Sequence, residues 1–223
     1  MINKEIAQKN FNIACEAYND SKKLIEELST YAKMASPSFS FELAMKQFDL
    51  VLQGILLRIA AEDGYFLDEE RQFIEKITDY GDIMTHFNNK GISISWDVFE
   101  NLSAEKQKDL SLKMLAALDE LANDFVKYFA VVDAVFPKDY CELLTERIGV
   151  ICLSLAQCDG DDMDSSDFKS EGIVAVTLVN KVIREKWNEI ESRANKAGVN
   201  NKSQASARSN SLKENFLKKK TLM

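Results

Sequence analysis

Glycine and proline are scarce in this chain, eight and two residues in 223. So few turn formers exclude the many short strands and tight turns of an all-β fold, and together with 29% charged residues they predict long helices with short breaks. Histidine occurs once, at His86, and the four cysteines (Cys15, Cys141, Cys152 and Cys158) form no CxxC pair, which excludes the usual spaced zinc motifs. The cysteines read as reduced thiols packed as small apolar side chains. His86 lies in Met84-Thr85-His86-Phe87-Asn88, read as a loop, with no serine or cysteine and acid arranged around it as a triad. Nucleophilic catalysis has no candidate, and the chain is read as a non-enzyme. No run approaches the roughly 18 to 20 uninterrupted apolar residues of a membrane span. The N-terminus Met1-Ile2-Asn3-Lys4-Glu5-Ile6 also lacks an apolar signal core, so a soluble cytoplasmic product is expected.

What is present is a hydrophobic content of 46%, enough for a full core, and a net charge of −8. The charge is uneven. From Lys196 onward seven basic residues face one acid, Glu214, a balance of +6 that leaves −14 for residues 1–195. Such an acidic body repels nucleic acid and anionic membrane surfaces, so neither is expected as its partner. The tail, residues 196–223, is rich in Asn, Ser, Lys and Ala and is expected to lack fixed structure, apart from a candidate recognition element at Leu212 to Leu217.

Apolar spacing divides the rest into helices. Ile6, Ile13, Ala17, Leu24, Leu28, Tyr31 and Ala35 predict an inward stripe on a first helix over residues 3–35, closed by Ser36-Pro37-Ser38. Ser38 or Ser40 is expected to cap a second helix reaching Glu62, apolar nearly all round at Leu50–Leu57 and therefore central. A third helix of about twelve residues carries Phe73, Ile74, Ile77 and Tyr80 and stops at Gly81. Residues 81–95 read as a polar connection, followed by a short helix near Trp96. A long helix then runs from the candidate cap Ser103 to Pro137, with Leu110, Met114, Leu118, Leu121, Phe125, Phe129, Val132 and Phe136 inward. A helix over 139–158 and a final one carrying Ile173, Val176, Val179, Ile183, Trp187 and Ile190 complete the series.

One segment is written twice. Ile59-Ala60-Ala61-Glu62-Asp63-Gly64-Tyr65-Phe66-Leu67-Asp68 recurs 96 residues on as Leu155-Ala156-Gln157-Cys158-Asp159-Gly160-Asp161-Asp162-Met163-Asp164. Each follows an apolar helical run, so a duplicated helix–loop–helix unit is expected, with copies at about 40–81 and 136–190. The loops are oxygen-rich, as calcium or magnesium requires. An EF-hand is excluded, because aligning Gly64 or Gly160 with that motif's glycine puts Ile59 or Leu155 at the first ligand position. Asp68 followed by Glu69 and Glu70 equally suits a helix N-terminus, where carboxylates satisfy free N–H groups and favour the dipole. In the second loop the crowd of aspartates exceeds what capping needs.

The paired pattern, an apolar helix ending in Ala-x-x-Asp-Gly, then x-x-[Leu/Met]-Asp and a further helix, resembles the TerB-like domain of tellurite-resistance and stress-response proteins. Residues 59–70 match that family's Ala-Asp-Gly-x-[Ile/Phe]-x-x-Glu-Glu signature more closely than the second copy, and the resemblance spans roughly residues 40–175. It implies an all-α, internally duplicated bundle of about seven helices. It also implies acidic clusters that bind metal ions and a cytoplasmic adaptor role near membrane-associated assemblies. The family's acidic positions fall on Asp63, Asp68 and Glu70 and on Asp159 and Asp164, with Asp161 and Asp162 beside the latter pair as further candidate ligands. The second copy departs at Cys158, where the family has a small residue, and at Ser166, which stands where the first has Glu70.

Residues 1–36 are thus expected to pack on or extend from a TerB-like domain over 37–195, with residues 196–223 as a basic tail. The leading expectation is a stress-response binding or scaffold protein whose acidic loops hold Ca2+ or Mg2+ and whose partner is another protein, a homo-oligomer being compatible. The competing expectations are a metal-independent interaction module working through the first helix or the tail and, remotely, a carboxylate-metal hydrolase.

Overall fold

The computed structural model describes the backbone of residues 4–35, 37–62, 66–135, 139–158 and 166–200. Regular structure among these residues is entirely helical: α1 (Lys4–Ala35), α2 (Phe41–Ala60), α3 (Asp68–Ile77), α4 (Ile83–Asn89), α5 (Trp96–Glu100), α6 (Ala104–Ala117), α7 (Asp119–Val135), α8 (Tyr140–Leu155), α9 (Ser166–Val179) and α10 (Glu185–Asn200). A π-helical turn, Asn180–Arg184, joins α9 to α10 in one unbroken helix.

Helix α2 is the axis. It packs against α1, α3, α4, α6, α7, α8 and α9, and from Phe48 to Ala60 every residue is buried. Ser40 begins it, its hydroxyl accepting the Leu43 N–H at 3.3 Å. Among its buried polar side chains, Asp49 and Gln53 hold the segment that follows α3. Asp49 accepts the N–H groups of Asp79 (3.1 Å) and Tyr80 (2.6 Å) and the Tyr18 hydroxyl (2.9 Å). Gln53 accepts the Ile83 N–H at 2.7 Å and donates to the Gly81 carbonyl at 3.0 Å. Arg58 pairs with Glu62. The turn after α3 is therefore pinned from the core outward.

Several sequence expectations are corrected. Along α1 the inward side is Asn10, Ala14, Ala17, Tyr18, Ser21, Ile25, Leu28 and Ala32, whereas Ile6 and Ile13 are exposed. Small and polar residues at 14, 17 and 21 face inward on the side that packs along α8, and a count of large apolar residues overlooks them. Helix α3 ends at Ile77, four residues before Gly81, leaving Tyr80 outside it. The connection 81–95 contains α4, begun by Asp82, whose carboxylate accepts the Met84 and Thr85 N–H groups, and buried through Ile83, Met84 and Phe87. His86 accordingly sits on a helix. The long helix expected after Ser103 breaks at Leu118, where a 3₁₀-type bond from its N–H to the Leu115 carbonyl ends α6 and Asp119-Glu120 open α7. Pro137 and Phe136 lie outside the described residues.

Candidate functional site

Of the seven expected ligand positions, Asp63, Asp159, Asp161, Asp162 and Asp164 lie outside the described residues. Asp68 and Glu70 are described, and they part ways. Asp68 is exposed at the first residue of α3, its nearest partner the Gln72 amide at 3.5 Å. Glu70 is buried and turns back on its own helix, its Oε2 accepting the Leu67 N–H at 2.7 Å. Leu67, rather than Asp68, is the residue before the helix, so the reciprocal half of a capping box has no side chain to make it. Glu62, the last described acid before the first loop, is held between Arg58 and Lys108, whose Nζ lies 2.8 Å from Oε1. Burial pushes its carboxyl up, but the Lys108 and Arg58 bonds outweigh that and hold it below its ordinary value. Among the described residues no three His, Cys, Asp or Glu side chains converge as a metal site.

Helix α3 and the end of the segment before the second loop nevertheless border one groove along α1. Asn10 of α1 donates to the Gln157 carbonyl at 3.0 Å, and Phe11 packs edge-on to Phe73 of α3 with centroids 5.4 Å apart. Ala7, Gln8 and Phe11 of α1, Glu69, Gln72 and Lys76 of α3, and Cys158 line a cavity of about 390 Å³ there. The approach to the second loop thus lies across α1 from the helix that follows the first.

Cys141, Cys152 and Cys158 are buried and Cys15 half-buried, as packed small side chains. Burial raises the Cys141 and Cys152 thiols to about 12, and the Cys15 thiol also rises, so none of these three is a thiolate at neutral pH. His86 packs edge-on to Phe87, and burial, then Lys90 and Lys46, lower its pKa below the ordinary histidine value.

A surface that the sequence reading placed inside is found at α8 and α9. Ile173 is 70% exposed and Val176 58%, while Glu171, Ala175, Val179, Ile183 and Trp187 face inward. The π-helical turn supplies the reason. At 100° per residue, an unbroken α-helix puts Ile173 within about 40° of Trp187's face and Glu171 about 160° away. One extra residue in the π turn moves Ile173 to about 140° and Glu171 to about 60°. Trp187 stays anchored, its indole N–H donating to Asp133 at 3.1 Å. Leu153 of α8 is exposed beside the same patch, and a methyl placed on Gly172 would lie 3.8 Å from it. Gly149 on α8 opens to free space. The helices run antiparallel, since Arg184 Nη2 reaches Glu142 (2.8 Å) and Thr145 (3.1 Å) at the far end of α8. The outward face is therefore apolar at Leu153, Ile173 and Val176 and mixed in charge at the other end, where Glu142 is paired with Arg184 and Glu146 is exposed. No family model, curated protein or solved structure matches the chain.

Proposed function

We propose that the protein is a non-enzymatic binding module of the TerB-like stress-response kind, and that the outward face of α8 and α9 is its contact surface for a protein partner. The observation that carries this is the exposure of Ile173 and Val176 on a helix whose other side is fully packed. Clustered aliphatic exposure of this kind marks interaction sites. Ile173→Asp with Val176→Asp should leave the melting temperature within about 2 °C, because exposed positions contribute little to stability. The pair should also abolish retention of the partner that the tagged full chain retains from its source cells. Unaltered retention, with the fold intact, would refute the surface.

A cation-regulated version of this reading is supported by the groove that α3, Gln157 and Cys158 border along α1, next in sequence to the two acidic loops. In it, Asp63, Asp159, Asp161, Asp162 and Asp164 supply oxygen ligands to Ca2+ or Mg2+. Glu70 contributes none while it caps α3. At a hundredfold excess over Kd the ion should stabilise the fold by about 2.7 kcal/mol, roughly 2 to 4 °C. The shift should vanish in Asp159→Asn with Asp161→Asn; an equal shift in that variant, or none in the unaltered protein, removes the cation from the account.

A further inference from the structure

We infer that the groove between α1 and α3 binds a short zwitterionic peptide, about three residues long with free ends. Its ammonium group meets Glu69, its carboxylate meets Lys76, and its central apolar side chain lies on Phe11 and Phe73. The site is separate from the face of α8 and α9, and it goes beyond the reading built on that face.

Charge, length and floor select this ligand. Glu69, Gln72 and Lys76 follow one another at steps of three and four, so they form a single stripe along the α3 wall of the cavity. Glu69 is half-buried, and its carboxylate has no partner among the described residues. Lys76 Nζ donates to the Gln72 amide oxygen at 3.0 Å, a neutral acceptor that leaves its charge unanswered. The stripe thus offers an acid at one end and a base at the other, about 10.5 Å apart along the helix. Three extended residues span about 10 Å, whereas two, at about 7 Å, fall short. A dianion or a dication would meet one like charge, and a wholly apolar ligand would leave both ends unused. Between the ends the floor is apolar: Phe73 and Cys158 are buried, half-buried Phe11 stands edge-on to Phe73, and Ala7 is too small to fill the space beside them. At about 390 Å³ the cavity has the size of a small-ligand site. Helices α1 and α3 run in the same direction here, since Phe11 meets Phe73 and the Tyr18 hydroxyl accepts the Asp79 N–H. Gln8 therefore stands toward the Glu69 end from Phe11. Its amide nitrogen donates to Asn12 at 2.9 Å, which leaves its carbonyl oxygen for a peptide N–H.

Titrating the full chain with the free tripeptide Ala-Phe-Ala tests this, by calorimetry and amide NMR, with EDTA present so that no divalent cation takes part. Saturation is expected with a Kd between about 10 µM and about 1 mM, the range open to a ligand of this size. The shifted amides should fall within residues 4–15 and 67–78. Acetylating the amine or amidating the carboxylate should each raise Kd about two- to fivefold at low salt. In Glu69→Gln the acetyl group should make no further difference, and in Lys76→Gln the terminal amide should make none. Gly-Gly-Gly, which carries the ends without the ring, should bind at least about tenfold more weakly. Ala7→Leu fills the floor from a half-exposed position; with its melting temperature unchanged, it should also raise Kd at least about tenfold. No saturation by about 10 mM, a Kd indifferent to both blocked ends, or full binding by folded Ala7→Leu would overturn the site. The Ile173 and Val176 substitutions should leave the titration unchanged, so this site and the α8–α9 face fail separately.

Discussion

Helices α2 and α8 precede the same Asp-Gly motif 96 residues apart, yet one is the axis of the molecule and the other part of its wall. Leu57 and Leu153 occupy the same place in the two segments; Leu57 is fully buried and Leu153 is 38% exposed. The polar interior differs more. Asp49, Gln53, Arg58 and Glu62 of the first segment correspond to Thr145, Gly149, Ser154 and Cys158 in the second, so the bonds that pin the turn after α3 have no counterpart at that spacing. What stands in for Asp49 is Asp133 of α7, which accepts the N–H groups of Tyr140 and Cys141 and the Trp187 indole, again two consecutive amides and one aromatic donor. The load each segment carries is therefore set by what surrounds it rather than by the sequence the two share.

The widest gap should appear on truncating the matched leucines. Leu57→Ala is expected to cost about 2 to 5 kcal/mol and Leu153→Ala under about 1 kcal/mol in urea unfolding; equal costs would mean that the two helices are equally enclosed.

Asp49 sharpens the contrast through pH. Burial pushes its carboxyl up to about 6 despite the three donors facing it, against an ordinary value of 3.8. The folded state therefore binds this proton before the unfolded chain does. The associated stability is fully present below 3.8 and is lost as pH rises through about 6. Relative to Asp49→Asn, the unaltered protein should gain on the order of 2 kcal/mol between pH 7 and pH 4. Parallel stability curves for the two proteins across that interval would contradict the burial of an ionised carboxylate here.

The smallest effects separate two helical glycines. A methyl on Gly54 would meet Leu118 Cδ1 at 2.7 Å and Leu115 Cδ1 at 3.3 Å, whereas one on Gly149 meets nothing. Gly149→Ala should stabilise by about 0.5 to 1 kcal/mol through helix propensity. Gly54→Ala should lose that gain to crowding. Both are read as shifts of the urea midpoint, and a destabilised Gly149→Ala would show that something already covers α8 there.

Much of the fold was legible in the sequence. The all-helical class, the central place of α2 and its Ser40 cap follow from composition, apolar content and capping chemistry. The face of α1 did not, because Ala14, Ala17 and Ser21 pack by being small. Helix α4 hid in a polar segment whose Asp82 cap and Ile83, Met84 and Phe87 were its only signals. The described part of the candidate site was half legible: Glu70 and Asp68 do open a helix, but with Leu67 before it, and the pair of half-buried Glu62 with buried Arg58 is an i, i+4 spacing that could have been noticed. Asp49 and Asp133 were invisible, since their partners are backbone amides, which carry no side-chain signal, and aromatic donors distant in sequence.

The π turn at Asn180–Arg184 makes chain length itself a determinant of what this protein shows to solvent. Ile173 and Val176 are ordinary core residues by chemistry, and no side-chain change is needed to bring them outside. One surplus residue, placed between them and a fixed tryptophan, rotates the whole preceding helix. Insertions and deletions within those five positions therefore act as a dial on surface identity, whereas most substitutions there would leave the dial where it stands.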